Sequence, residues 1–69
     1  MPPNKPVLAA NIIFYQKLTG VKQKDLERTL GISRPTYRRK VYTNNLTVAD
    51  LKLLSRVLHT DINNLLKGV

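Results

Sequence analysis

Residues 23–42 read QKDLERTLGISRPTYRRKVY. Residues 23–30 are expected to form a short helix. Val21 before it and Leu26 within it have the spacing of a hydrophobic staple. Asp25 falls in the first turn, where an anion complements the helix dipole. Gly31 supplies the left-handed residue that stops this helix. Ser33 is a good N-cap for a second helix over about residues 33–42. Pro35 sits in its first turn, where a missing N–H costs nothing. Ile32 and Tyr37 repeat the staple spacing, and Tyr37 and Val41 share a face that should pack on the core. The same helix carries Arg34, Arg38, Arg39 and Lys40 within seven residues.

Two short helices joined by a tight turn at Leu30-Gly31-Ile32-Ser33, the second of them basic, are the makings of a helix-turn-helix. The balance of charge agrees with that reading. The chain has 69 residues with 12 Lys and Arg against 4 acids, a net charge of +8. So basic a surface points to a polyanion, nucleic acid before an anionic membrane. Residues 22–42 hold seven of the basic residues and two of the acids, a net of +5; the other 48 carry five and two, a net of +3.

Working outward, residues 47–58 form a further helix. Thr47 opens it with Asp50 three residues on, a near capping box, and Leu46 and Leu51 have staple spacing. Leu51, Leu54, Val57 and Leu58 make its apolar face, and His59-Thr60 breaks it. Residues 61–66 form a last short helix with Ile62, Leu65 and Leu66 inward. Upstream, residues 7–18 form the first helix, with Leu8, Ile12, Tyr15 and Leu18 on one stripe and Gly20 at its end. Ile13 and Phe14 lie off that stripe; they are either scattered exposed residues or a dimer contact. Residues 1–6, MPPNKP, read as a flexible arm, either a disordered tail or a segment touching DNA. The connections 19–22 and 43–46 are short, and Thr43-Asn44-Asn45 is a polar loop. No stretch alternates with period two, so the expectation is an all-α bundle of five short helices, arm 1–6 and one domain 7–69.

Several function classes find no support. No cysteine is present, and His59 is the single histidine, so neither a thiolate nor a multi-histidine metal site is expected. HExxH, GxxxxGK[ST] and GxSxG are all absent, and the acids Asp25, Asp50 and Asp61 are explained by helix N-termini. No enzyme, cofactor or metal is expected. No apolar run has the length of a signal peptide core or a membrane span, which makes a cytoplasmic protein, nucleoid-associated when on DNA, the default.

The basic helix is where chemistry concentrates. A helix fits the major groove, and its N-terminal residues reach base edges. Arg34 and Arg39 are candidate base readers, because a guanidinium can bond guanine O6 and N7 together. Thr36 suits a base, a thymine methyl or a phosphate. Arg38 and Lys40 suit phosphates. Gln23 begins a helix whose first N–H groups are free to hold a phosphate, and its amide can join them or brace the following helix. Lys22, Lys24, Thr43, Asn44 and Asn45 would flank the same backbone. The plain alternative for all of these is a solvated basic face.

GVKQKDLERTLGISRPTYRRK followed by LTVADLKLLSRVLHTDINNLL resembles the Cro/phage-repressor type of helix-turn-helix domain over about residues 8–67. The markers are Gln23, Leu26, the Leu30-Gly31-Ile32-Ser33 turn, and the pattern Leu51, Leu54, Leu58, Leu65, Leu66. The resemblance implies a five-helix, lambda-repressor-like domain that binds operator DNA, usually as a dimer on two half-sites. It implies that Gln23 meets DNA backbone and that Arg34, Pro35, Thr36 and Arg39 supply base and backbone contacts. Three positions depart from the family pattern. Pro35 offers no side-chain hydrogen bond, Lys40 stands where an apolar residue is common, and Glu27 stands where Ala is common.

The expectation is therefore a repressor- or Cro-like transcription regulator acting by occupancy of double-stranded DNA, with a homodimer as its form. The alternative is an antirepressor- or antitoxin-like module that binds a protein partner through Ile13 and Phe14.

Overall fold

The computed structural model describes residues 7–68. The expected arm 1–6 lies outside them. The elements are α1 (Val7–Thr19), α2 (Gln23–Leu30), α3 (Arg34–Tyr42), α4 (Val48–Val57) and α5 (Ile62–Leu65). No strand occurs among the described residues, and the architecture is an all-α bundle. Helix α2 packs on α3 and α4, α1 on α3 and α5, and α4 on α5.

Local sequence explains most of the boundaries. The Asp25 carboxylate accepts from the Lys22 N–H at 3.2 Å across the first turn of α2. Its C-terminus is a complete Schellman motif: Gly31 at φ 67 donates to the Arg28 carbonyl, and Ile32 donates to that of Glu27. At α4 the capping box is reciprocal, with Asp50 N–H to Thr47 Oγ1 at 3.1 Å and Thr47 N–H to Asp50 Oδ2 at 3.2 Å. Two other helix ends use a left-handed residue that is not glycine, Asn44 at φ 57 after α3 and His59 at φ 54 after α4. The N–H groups that follow them, Asn45 and Thr60, close back onto the Lys40 and Ser55 carbonyls.

The core is Leu8, Ala9, Ile12, Leu26, Tyr37, Val41, Leu51, Leu54, Leu58 and Leu65. The staple residues Val21, Ile32 and Leu46 lie against its edge. Each pins a chain entry to the helix that follows it.

Several expectations need correction. Leu18 is 68 % exposed. It lies ten residues after Leu8, which at about 100° per residue leaves it about 80° off the inward stripe. Ala9 takes a core place instead, and α1 runs one residue further, to Thr19. Leu66 is 37 % exposed and follows α5, which ends at Leu65 rather than 66. Ser33 stands at the N-cap of α3, but its hydroxyl donates to Thr36 Oγ1 at 3.0 Å and caps no backbone N–H.

A clamp that holds the two ends of the described chain together comes from Asn11. Its Nδ2 donates to the Leu65 carbonyl at 2.9 Å and to the Lys67 carbonyl at 2.8 Å. Both hydrogens of one amide thus satisfy carbonyls at the C-terminal end of α5 and in the turn that follows it.

Candidate nucleic-acid interface

Helix α3 is fastened on one side only. Tyr37 and Val41 are buried, and at about 100° per residue Arg39 projects from the opposite side. Arg34 is the first residue of the helix and Pro35 the second; both are exposed, as are Arg38 and Arg39. Because α3 starts directly from the Schellman turn, the Arg34 and Pro35 end is held by backbone hydrogen bonds instead of hanging as a loop. Pro35 adds a rigid ring and no donor, so the polar chemistry here belongs to the arginines.

The remaining candidates are placed unequally. Thr36 is half-buried, and its hydroxyl accepts from that of Ser33. Arg38 lies over the Tyr42 ring, its guanidinium carbon 5.4 Å from the centroid. Such a contact holds the guanidinium in place without neutralising it. Lys40 turns to the other flank, where Nζ lies 3.7 Å from Asp50 Oδ2 at the start of α4. The pair is long and partly exposed, so it draws the ammonium towards α4 without neutralising it. Asn44 is exposed in the loop, and its left-handed backbone ends α3.

Gln23 joins α3 to α2. The residues Gln23, Lys24, Glu27 and Arg34 line one groove of about 270 Å³ between the starts of the two helices. Within it the Gln23 Nε2 donates to Glu27 Oε2 at 3.0 Å. The bond spans i to i+4, and this signal was available in the sequence. The Arg38–Tyr42 pair has the same spacing. With one amide hydrogen held by Glu27, Gln23 keeps a carbonyl oxygen and one N–H for a ligand. The backbone N–H groups of Gln23 and Lys24 have no intrahelical acceptor. A second groove, of about 410 Å³, runs from Gln23 along Lys22 and Val21 to Ile13, Gln16 and Lys17 of α1. Lys17, Lys22 and Lys24 therefore stand around the start of α2.

Glu27 places a carboxylate among these cations. It is also the second cause, after burial, of a raised pKa at Tyr37, with Tyr42 third. The Tyr37 phenol stays neutral throughout the ordinary pH range and serves α3 by packing. Ile13 and Phe14 do not form one patch. Ile13 is half-buried in the α1–α2 groove, whereas Phe14 is 58 % exposed on the outer side of α1, its ring set edge-on to Tyr15 at 5.0 Å.

No helix among the described residues is long and apolar enough to cross a membrane. Among the same residues no three His, Cys, Asp or Glu side chains gather where a metal ion could be held. No protein-family model, curated protein or solved structure matches the chain.

Proposed function

We propose that the chain is a sequence-specific double-stranded DNA-binding regulator of the Cro/phage-repressor type. Its helix-turn-helix is α2, the Gly31 turn and α3, with α3 in the major groove. One observation carries the reading: α3 buries Tyr37 and Val41 and turns Arg34, Pro35, Arg38 and Arg39 to solvent. Arg34 and Arg39 are assigned to base edges, and Thr36 to a base or phosphate beside them. Arg38, Lys22, Lys24 and the start of α2 with Gln23 are assigned to phosphates. Lys40 is reassigned to the Asp50 contact and Asn44 to the turn after α3. Regulation follows from occupancy: a bound protein obstructs or recruits polymerase at the site it covers.

The test is selection of bound fragments from random duplex DNA at several salt concentrations. A consensus sequence, with affinity falling about 0.9 log units per log unit of salt for each phosphate contacted, is the expected result. Salt-sensitive capture with no consensus would reduce the assignment to nonspecific binding. No capture at low salt would favour the antirepressor- or antitoxin-like reading, which is supported by the exposure of Phe14 and Leu18.

A further inference from the structure

Glu27 is turned towards α3. Its side chain is half-buried and lines the groove between the starts of α2 and α3 with Gln23, Lys24 and Arg34. Burial first, and the Glu27 charge second, raise the pKa of the Tyr37 phenol, which sets the carboxylate on the α3 side of α2. Among the described residues Glu27 pairs with no Lys or Arg, although Lys24 and Arg34 share the groove. Its partner is the Gln23 side-chain amide, Nε2 to Oε2 at 3.0 Å. A carboxylate in this place repels phosphate, so attraction to the DNA backbone is not what it contributes. It contributes direction.

A carboxylate accepts hydrogen bonds and never donates them. The Gln23 amide can offer Glu27 only its –NH2 end, so the amide oxygen is turned to other partners. Arg34 stands across the same groove as the first residue of α3, directly after the Gly31 turn. A guanidinium donates and never accepts. Carboxylate, amide and guanidinium therefore make a series that runs in one sense only. Guanine completes it, because O6 and N7 are both acceptors.

We infer that Glu27 is a positioning residue for base recognition: on a duplex it holds the Gln23 carboxamide so that the amide oxygen accepts from one edge of the Arg34 guanidinium and leaves the other edge to guanine O6 and N7. The inference rests on the reading of α3 as the major-groove helix. Holding one edge of a long, rotamer-rich side chain lowers the cost of ordering it at the base. It also sharpens rejection of adenine, whose N6 amino group meets the guanidinium donor to donor. Without Glu27 the Gln23 amide is free to reverse, and its –NH2 end then opposes Arg34.

The test takes the parent, Glu27→Ala, Arg34→Ala, Gln23→Ala and the doubles Glu27→Ala/Arg34→Ala and Glu27→Ala/Gln23→Ala. Affinity is measured for the selected duplex and for the same duplex with one base pair changed at each position in turn. All these duplexes carry the same phosphates, so the repulsion lost with Glu27 cancels from every ratio. Alanine favours a helix, so Glu27→Ala keeps α2. Arg34→Ala should mark its base pair by lowering preference there roughly ten- to hundredfold. Glu27→Ala should lower preference at that same pair by about three- to tenfold, and should add nothing once Arg34 or Gln23 is Ala. A purely structural role would act differently, since a shifted α3 relaxes the Arg39 base pair as well. Unchanged preference at the Arg34 pair in Glu27→Ala overturns the inference. So does equal relaxation at the Arg34 and Arg39 pairs, an Arg34→Ala that keeps every preference, or a Glu27 effect that survives in Gln23→Ala. In each of those outcomes the parent still selects a sequence and the DNA reading stands. A parent that selects no sequence removes that reading and the inference together.

Discussion

The Gln23 side-chain amide donates to the Glu27 carboxylate across one turn of α2, Nε2 to Oε2 at 3.0 Å, in the groove that Arg34 also lines. The pair combines a conserving effect with a repulsive one. It fixes the Gln23 carboxamide, and it sets a negative charge beside surfaces assigned to phosphate. Glu27→Ala should raise affinity for random duplex DNA about three- to tenfold at low salt, and the gain should shrink as salt screens the lost repulsion. In the Gln23→Ala background the specific-to-random ratio should no longer respond to Glu27. Fluorescence anisotropy on specific and random duplexes measures both. An unchanged random-duplex affinity in Glu27→Ala would remove the electrostatic role.

The basic residues of α3 divide by what surrounds them. Arg39 projects opposite the core, Arg38 lies over Tyr42, and Lys40 faces Asp50. Arg39→Ala should weaken specific binding by about 1–3 kcal/mol and relax preference at one base pair. Arg38→Ala should lower the salt slope by about 0.9 with little change in consensus. Lys40→Ala should change that slope less than Arg38→Ala, because its ammonium is drawn towards Asp50. A Lys40 slope change as large as that of Arg38 would return Lys40 to the DNA face.

What the sequence made legible was local. Staples, caps and the glycine turn act within five residues, and 23–30, Gly31, Pro35 and the Thr47–Asp50 box are where spacing put them. Leu18 was misplaced because a stripe extended over ten residues accumulates angular error at 3.6 residues per turn. The Asn11 clamp could not have been read at all, since its acceptors lie 54 and 56 residues away. At the candidate interface, spacing identified which side chains sit on α3. It could not say that Lys40 would meet Asp50, a contact set by how α4 packs.

His59 and Asn44 both hold positive φ, but they differ in how well their side chains suit it. Asn tolerates the left-handed region through local hydrogen bonding, whereas His, though commoner there than most residues, still carries the Cβ clash that glycine avoids. His59 is exposed. His59→Gly should therefore stabilise the fold by about 0.5–1 kcal/mol, with Asn44→Gly giving less. Thermal unfolding followed at 222 nm would show the order. A destabilised His59→Gly would mean that its side chain does more than occupy a turn.

The Asn11 amide makes two hydrogen bonds with one –NH2 group, and among the described residues no other side chain bonds these two carbonyls. Asn11→Ala should cost about 1–2 kcal/mol, since each bond contributes modestly and the Leu65 carbonyl is left poorly satisfied. For a domain of this size that is a fall in melting temperature of roughly 4–8 °C per kcal/mol. Amide exchange in α5 should accelerate more than in α2 or α4, because the clamp acts at the chain ends. Equal acceleration throughout would show a loss of global stability with no local clamp.

Tyr37 gives the fold a dependence on high pH. Its folded pKa is raised, by burial first and then by Glu27 and Tyr42, above the ordinary tyrosine value of about 10 that the unfolded chain keeps. Below that value both states hold the phenolic proton and the full stabilisation is present. As pH climbs past it, the unfolded chain releases the proton first, so stability falls until the folded phenol also ionises. Tyr37→Phe keeps the volume and the packing against the core and removes the titration. The melting temperature of the parent should therefore drop more steeply than that of Tyr37→Phe between about pH 9 and 11. Parallel curves for the two would mean that the phenol reaches water in the folded chain, and that α3 is less firmly seated than its buried face indicates.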